Sequence, residues 1–330
     1  MKLLKDIENF IGSTIEECYM VENISYNLSK EGNSWISIML KDLSGRIHAK
    51  LWKERIKEGV EYDAFVGRVA KVNAFVDVYN GEPSLALQTI ELADEGEYDL
   101  SQYVLSLGKE EKEGYWKILK EHIASIEDES MRLLVETIFN YFKDRLCGLP
   151  AGKSMHHAYN GALLIHTLEV TEIALATYEV MNRYSKSYAV PLHRDFVLCG
   201  ALLHDIGKVV EYEAFPGCEI TLRGSLIGHL VEGVKCINSF NGFLKEKAVP
   251  VKKMNILEHL ILSSHGGLGG GLKPSIKEGI IIKNADNMSA EVDGYDTVFR
   301  LHDEKHPGNN EKSVKNAYTG NYSVRGWEVF

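Results

Sequence analysis

At 330 residues the chain is longer than one hydrophobic core usually supports, so two domains are expected. Its composition is that of an ordinary soluble globular protein, and no apolar run approaches the ~20 residues of a membrane span. The net charge of −10 argues against a protein that coats nucleic acid non-specifically, though it leaves room for a local basic groove.

The first residues, Met1-Lys-Leu-Leu-Lys-Asp-Ile-Glu8, lack the long apolar core of a signal peptide, so a cytoplasmic protein is expected. Cys18, Cys147, Cys199, Cys218 and Cys236 are odd in number and show no CxxC spacing, which points to reduced thiols.

Residues 1–95 read as strands. Glu16–Ser29, Ser34–Leu40, Arg46–Trp52, Ala64–Tyr79 and Leu85–Leu92 alternate in polarity and carry β-branched and aromatic residues. Asp42-Leu-Ser-Gly45 and Tyr79-Asn-Gly-Glu-Pro83 should each close a hairpin, Asn-Gly being a strong signal for one. Five strands in so short a stretch fit a small closed barrel of the oligonucleotide-binding (OB) type, with a small β-sandwich as the alternative. Such barrels hold single strands through stacking aromatics and a positive groove. Trp35, Trp52, Phe65, Phe75 and Tyr79 are the candidate platforms. Lys41, Arg46, Lys50, Lys53, Arg55 and Lys57 form a basic stretch opposed only by Asp42 and Glu54. The competing reading, aromatics in the barrel core and lysines on a solvated face, stands on equal terms.

Residues 96–150 form a helical connector on this reading. Tyr115, Ile118, Leu119, His122 and Ile123, then Met131, Leu134, Val135, Ile138, Phe139 and Phe142, fall at helical spacing, and Leu149-Pro150-Ala-Gly152 breaks the pattern.

Residues 151–300 are expected to form an all-helical domain built around Cys199-Gly-Ala-Leu-Leu-His-Asp-Ile-Gly-Lys208. Val197, Leu198, Ala201, Leu202 and Leu203 leave almost no polar face, so this run should be a buried helix that takes His204 and Asp205 inside with it. A buried carboxylate needs a partner, and a divalent cation satisfies a carboxylate and an imidazole together. Lys208 lies on the same face, at i+4 from His204 and i+3 from Asp205, and Gly207 should loosen the helix there.

An isolated His-Asp pair is more simply a hydrogen-bonded core pair. The histidine inventory shifts that balance. Eight of the twelve histidines, His156, His157, His166, His193, His204, His229, His259 and His265, fall in one stretch. His166 shares a helix face with Leu163, Val170 and Ile173, His229 follows Gly228, His265 ends the apolar run Leu260–Ser264, and Asp286 follows Gly279–Ala285. That distribution suits a metal site built from facing helices.

The order His166, His204-Asp205, His229, His265, Asp286 resembles the HD superfamily of metal-dependent phosphohydrolases. Met155-His-His-Ala-Tyr-Asn-Gly-Ala-Leu-Leu-Ile-His-Thr167, Leu203–Lys208, Leu222-Arg-Gly-Ser-Leu-Ile-Gly-His229 and Ala285-Asp-Asn-Met288 further resemble the YhaM family. The resemblance covers about residues 10–300. It implies a 3′→5′ exoribonuclease whose N-terminal OB barrel precedes the HD domain. It departs at Ser263-Ser-His-Gly266, where the family is expected to show paired histidines before the glycine. If the first of that pair is a ligand, Ser264 cannot replace it and a second ion is in doubt.

On the pattern of the resemblance, one ion falls to His166, His204, Asp205 and Asp286, and a second to Asp205, His229 and His265. Imidazole and carboxylate ligands suit Mn²⁺, taken first, or Fe²⁺, Co²⁺, Ni²⁺ or Zn²⁺. Asp205 and Lys208 are the expected catalytic pair, with the ion acidifying water so that no separate base is required. His156, His157, Lys208 and Arg223 are the expected phosphate contacts, His156 and His157 being equally open as structural residues or extra ligands. Trp35, Arg46, Lys50 and Trp52 are the expected contacts for the strand.

The expectation is thus an α+β chain of two domains, an OB-type barrel followed by an all-α HD domain, acting on single-stranded RNA with DNA left open. An HD enzyme acting on nucleotides or cyclic dinucleotides is the first alternative. A nucleic-acid-binding protein with a degenerate HD site is the second. In the tail, residues 301–330, Asp303–Asn310 reads as a polar loop. Tyr318, Tyr322, Trp327 and Phe330 should then dock on the parent domain or on a neighbouring subunit of a homo-oligomer.

Overall fold

The computed structural model describes residues 2–28, 34–94, 96–152, 159–185, 189–213, 219–267, 270–306, 311–316 and 320–325, with the side chains of Leu301, Glu304 and Lys305 left aside. The chain divides at Ser106/Leu107 into a β unit and a helical unit.

In the β unit, strands β1 (Thr14–Leu28), β2 (Ser34–Asp42), β3 (Gly45–Trp52), β4 (Val69–Tyr79) and β5 (Glu82–Leu92) close into a barrel in the order β1-β2-β3-β5-β4. This is the five-stranded OB architecture, and closure excludes the sandwich. Strand β1 serves two neighbours. Thr14–Met20 pair with β4 and Met20–Leu28 with β2, and a bulge between Val21 and Asn23 bends the strand between them. Both expected hairpins form. Asp42 opposes Gly45, its Oδ1 accepting the Ser44 and Gly45 N–H groups at 2.6 and 3.0 Å, and the Tyr79–Glu82 pair encloses Asn80 and Gly81, both at positive φ. Closure comes from a short parallel pairing of β3 with β5, His48–Lys50 against Ser84–Ala86. Alternate residues such as Ile15, Tyr19, Ile36, Ile38, Leu40, Ala49, Val72 and Leu85 fill the interior. Phe65 is buried among them, so it is core and no stacking platform.

The helical unit begins with α1 (Lys109–Ala124), α2 (Glu129–Tyr141) and the short α3 (Lys143–Leu146). Asp128 caps α2 by accepting the Met131 N–H at 3.0 Å, which is why the helical pattern breaks between α1 and α2. In α1 the buried face is Trp116, Leu119 and Ile123, and Ile118 faces out. The apolar pattern alone placed that stripe off phase, because Trp116 rather than Ile118 is the large buried side chain of this helix; α4 (Ala162–Arg183) follows. Next come α5 (Arg194–Leu203), α6 (Lys208–Glu211), α7 (Leu222–Ile227), α8 (His229–Phe243), α9 (Val251–Ser263) and α10 (Lys277–Lys305).

The expected continuous helix through Lys208 is interrupted: α5 stops at Leu203 and His204–Gly207 form a turn. A backbone crossing lies at this turn. Gly207 lies so close to the start of α8 that a Cβ on it would sit 1.8 Å from the His229 carbonyl oxygen. Gly207 thus permits a close approach rather than loosening a helix.

Helix α10 extends through Asp303–Lys305, part of the expected loop. Beyond it, in the tail, β6 (Ser313–Lys315) and β7 (Tyr322–Val324) form a small antiparallel hairpin that the sequence reading did not foresee. The hairpin docks on its own chain: the Val324 N–H donates to the Tyr295 hydroxyl at 2.9 Å, and the Arg325 guanidinium lies 4.6 Å from the Phe299 ring centre. Tyr318, Trp327 and Phe330 lie outside the described residues, and Tyr322 is exposed. Cys18, Cys147, Cys199 and Cys236 are free thiols, and Cys218 lies outside the described residues. Among the described residues no helix is long and apolar enough to cross a membrane.

Candidate metal centre

Helices and the turns that follow them supply the centre. Helix α4 contributes His166, the turn after α5 contributes His204 and Asp205, α8 opens with His229, the turn after α9 carries His265, and α10 contributes Asp286. His166, His204 and Asp205 are almost wholly buried, and His229 and His265 are half-buried at the open side.

Asp205 is the hub. Its Oδ2 lies 3.5 Å from His166 Nε2 and 3.4 Å from His204 Nε2. Its Oδ1 lies 3.6 Å from His229 Nε2 and 3.7 Å from His265 Nε2. On the first side, His166 Nε2 is 3.2 Å from both His204 Nε2 and Asp286 Oδ1. On the second, His229 Nε2 and His265 Nε2 are 2.8 Å apart. Ligands bound at ~2.1 Å fall about 3 Å from their neighbours around one ion, which these separations match. Two sets of three result, His166-His204-Asp286 and Asp205-His229-His265.

Each imidazole is turned by a partner at Nδ1, so each Nε2 faces the centre and, in the neutral ring, presents a lone pair to it. His204 Nδ1–H donates to the Ala201 carbonyl at 2.7 Å and His265 Nδ1–H to Asp286 Oδ2 at 2.8 Å. His166 Nδ1–H donates to Ser289 Oγ at 2.9 Å, which in turn donates to Glu169 Oε2 at 2.7 Å. His229 Nδ1 faces the Glu211 carboxylate at 3.2 Å.

Asp205 tests whether a cation fits. Among the described residues, both its oxygens are buried without a hydrogen-bond donor, apart from the ion-paired Lys208 ammonium 2.6 Å from Oδ2. Burial opposes its ionisation, yet Lys208 and His204 hold the carboxyl well below the usual carboxylate range. Burial likewise opposes a charged His166, but the facing Asp205 and Asp286 carboxylates outweigh it and raise its pKa. The centre therefore calls for positive charge, which protons or a divalent ion can supply, and its nitrogen and oxygen donors suit the ion.

Of the other expected residues, Lys208 belongs to the centre: buried, it also donates to the Ala151 carbonyl at 2.5 Å. Ser264 does not join it; its Oγ donates to the Ile261 carbonyl at 3.0 Å, and the second set assembles without it. Arg223 pairs with Glu232 at 2.7 Å and is in neither set. His156 and His157 lie outside the described residues. His193 and His259 serve the scaffold: Glu278 Oε1 accepts the His193 backbone N–H and His259 Nε2 accepts that of Ser275, both at 2.9 Å. The sequence reading missed Glu169, Ser289 and Glu211. The first two are three residues from His166 and Asp286 on the same helix faces, a spacing that could have marked them.

On the barrel, Trp35 opposes Trp52 across β2 and β3 with ring centres 6.0 Å apart. Lys50 Nζ lies 5.2 Å from the Trp35 ring centre and 3.4 Å from that of Tyr79. Trp52 and Tyr79 are exposed. Arg46 is held instead by Glu22, its Nε donating at 2.8 Å.

Residues 163–291, which contain all six ligand candidates, match the HD domain family model. This part of the chain is an HD domain. The HD domain's ends fall inside α4 and α10, the helices that carry His166 and Asp286. Over 291 residues the chain is 25% identical to the 3′-5′ exoribonuclease YhaM of Geobacillus sp. (strain WCH70), covering 88% of this chain and 86% of that one. The resemblance to the YhaM family drawn from the motifs is thus borne out well beyond the HD domain. Among solved structures, the second OB-fold domain of replication protein A from Methanococcus maripaludis is 21% identical, covering 27% of this chain and 90% of that one at a TM-score of 0.20.

Proposed function

We infer that this chain is a phosphodiester hydrolase that shortens single-stranded RNA from its 3′ end with the help of divalent cations. The observation that carries this reading is Asp205, whose two buried oxygens each face two imidazole Nε2 atoms. One ion would be held by His166, His204, Asp286 and Asp205 Oδ2, and a second by Asp205 Oδ1, His229 and His265. Such ions lower the pKa of water to near 7 and polarise a phosphoryl oxygen. Mn²⁺ is the ion we would load first.

The protein's own groups do the rest. Ala201, Ser289, Glu211 and Asp286 fix the four rings so that no Nε2 carries the hydrogen. Lys208 neutralises part of the Asp205 charge, and of its three N–H donors two are engaged among the described residues, by Asp205 and Ala151, with the third available to a phosphoryl oxygen on this reading. The barrel holds the strand on Trp35, Trp52 and Tyr79, where bases stack, with Lys50 facing the backbone charge. The free thiols support a reducing, cytoplasmic setting.

The test is a 5′-labelled single-stranded RNA incubated with Mn²⁺ and the protein, beside His204→Ala and Asp205→Ala variants. A ladder that shortens from the 3′ end and is lost in both variants is expected. Intact RNA together with hydrolysis of cyclic dinucleotides would move the assignment to a nucleotide phosphodiesterase. Absence of any metal-dependent hydrolysis would point to a degenerate site.

A further inference from the structure

We propose that Glu211 is the positioning residue on which the second cation depends; this rests on the metal-centre reading above. Glu211 is buried at the end of α6, where Oε1 accepts the backbone N–H of His229 at 3.2 Å and both oxygens lie 3.2 Å from His229 Nδ1. One carboxylate therefore holds His229 by its main chain, at the favourable N-terminus of α8, and by its ring.

The main chain and stem of Glu211 are themselves held. Thr221 N–H donates to the Glu211 carbonyl at 2.8 Å, and Gly224 packs so tightly that a Cβ on it would lie 2.5 Å from that oxygen and 2.9 Å from Glu211 Cγ. Helix α7 thus fixes Glu211, and Glu211 fixes His229.

The two sets differ in what supports them. In the first, His204 leans on a backbone carbonyl and His166 on the Ser289 hydroxyl backed by Glu169. In the second, Asp205 is shared and His265 is held by Asp286, a member of the first set. Of the two imidazoles in the second set, His229 is the one that, among the described residues, is placed by a group outside the first set, and that group is Glu211. Ser264, turned to Ile261, offers no replacement ligand. Weakening Glu211 should therefore loosen one ion and spare the other.

The experiment counts Mn²⁺ by equilibrium dialysis with elemental analysis, and measures each affinity by calorimetry, for the full-length wild type, Glu211→Gln and Ser289→Ala, with circular dichroism to confirm folding. Two ions are expected for the wild type. Glu211→Gln should keep one at wild-type affinity and bind the other about 10–100-fold more weakly, while Ser289→Ala should weaken the opposite ion. Should Glu211→Gln fail to fold, Glu211→Asp, which keeps the charge but withdraws it by one methylene, is read the same way. A folded Glu211 variant that binds both ions as the wild type does, or loses both equally, overturns the proposal while leaving the metal centre standing. A wild type that takes up no Mn²⁺ overturns both.

Discussion

The Lys208 ammonium lies 2.6 Å from Oδ2 of Asp205, and both groups are almost wholly buried. The pair is the standing compensation for a carboxylate sunk among imidazoles, and a bound cation would share that task. Replacing Lys208 by Met should cost about 3–5 kcal/mol without metal, because an uncompensated charge remains inside. Added Mn²⁺ should recover much of that loss. Thermal melts of both proteins in EDTA and in Mn²⁺ check this; a deficit that is the same in both buffers would mean that Lys208 and the ion do not share Asp205.

Gly207→Ala and Gly200→Ala should differ sharply in stability. At Gly200 a new Cβ meets the ends of Ile282 and Leu260, which can shift, and the cost should stay within ~1–3 kcal/mol for overpacking. At Gly207 it meets the backbone of His229 and Gly233, at 1.8 and 2.6 Å, so α8 must move and take His229 with it. Urea denaturation should place Gly207→Ala beyond that range. Equal midpoints for the two variants would contradict the backbone crossing at Gly207.

Trp52→Ala on the barrel should weaken binding of single-stranded RNA by about 1–3 kcal/mol, the worth of one stacked base. Lys50→Ala should also flatten the salt dependence of binding, by about 0.7 in the logarithmic slope for each phosphate that is no longer neutralised. Neither should slow hydrolysis of a small phosphodiester. Fluorescence anisotropy across a salt series and a chromogenic ester assay separate the two effects, and a parallel loss in both would place Trp52 in the hydrolytic machinery.

Asp128 gives the chain an acid-sensitive link. Burial raises its pKa, but Lys253, Ser130 and the Met131 N–H outweigh burial and lower it from 3.8 to about 2. A lowered folded-state pKa contributes stability that is complete above about pH 4 and is lost as the pH falls toward 2. Asp128→Asn keeps a good helix cap but loses the pairing with Lys253, so it should be less stable by about 1 kcal/mol at pH 7. That difference should vanish near pH 2; a gap that stays constant between pH 7 and pH 2 would refute the linkage.

Much of this was legible in the residues themselves. Alternation located the strands of the barrel, Asp42–Gly45 and Asn80-Gly81 announced its hairpins, and six ligand candidates stood out because each interrupts an apolar run with a group that burial penalises. Local chemistry dictates such features, since a hairpin or a buried carboxylate is compensated within a few residues. The phase of α1, where Trp116 displaces Ile118, was not legible, because it depends on what packs against the helix. Nor was the break at His204–Gly207, where the chain passes against the backbone of His229 on another helix. The parallel closure of β3 on β5, the division of imidazoles between the two oxygens of Asp205, and the hold of Glu211 on His229 all join residues far apart in the chain. Only tertiary packing decides such pairings, because many partners satisfy the same donor or acceptor and the fold selects one.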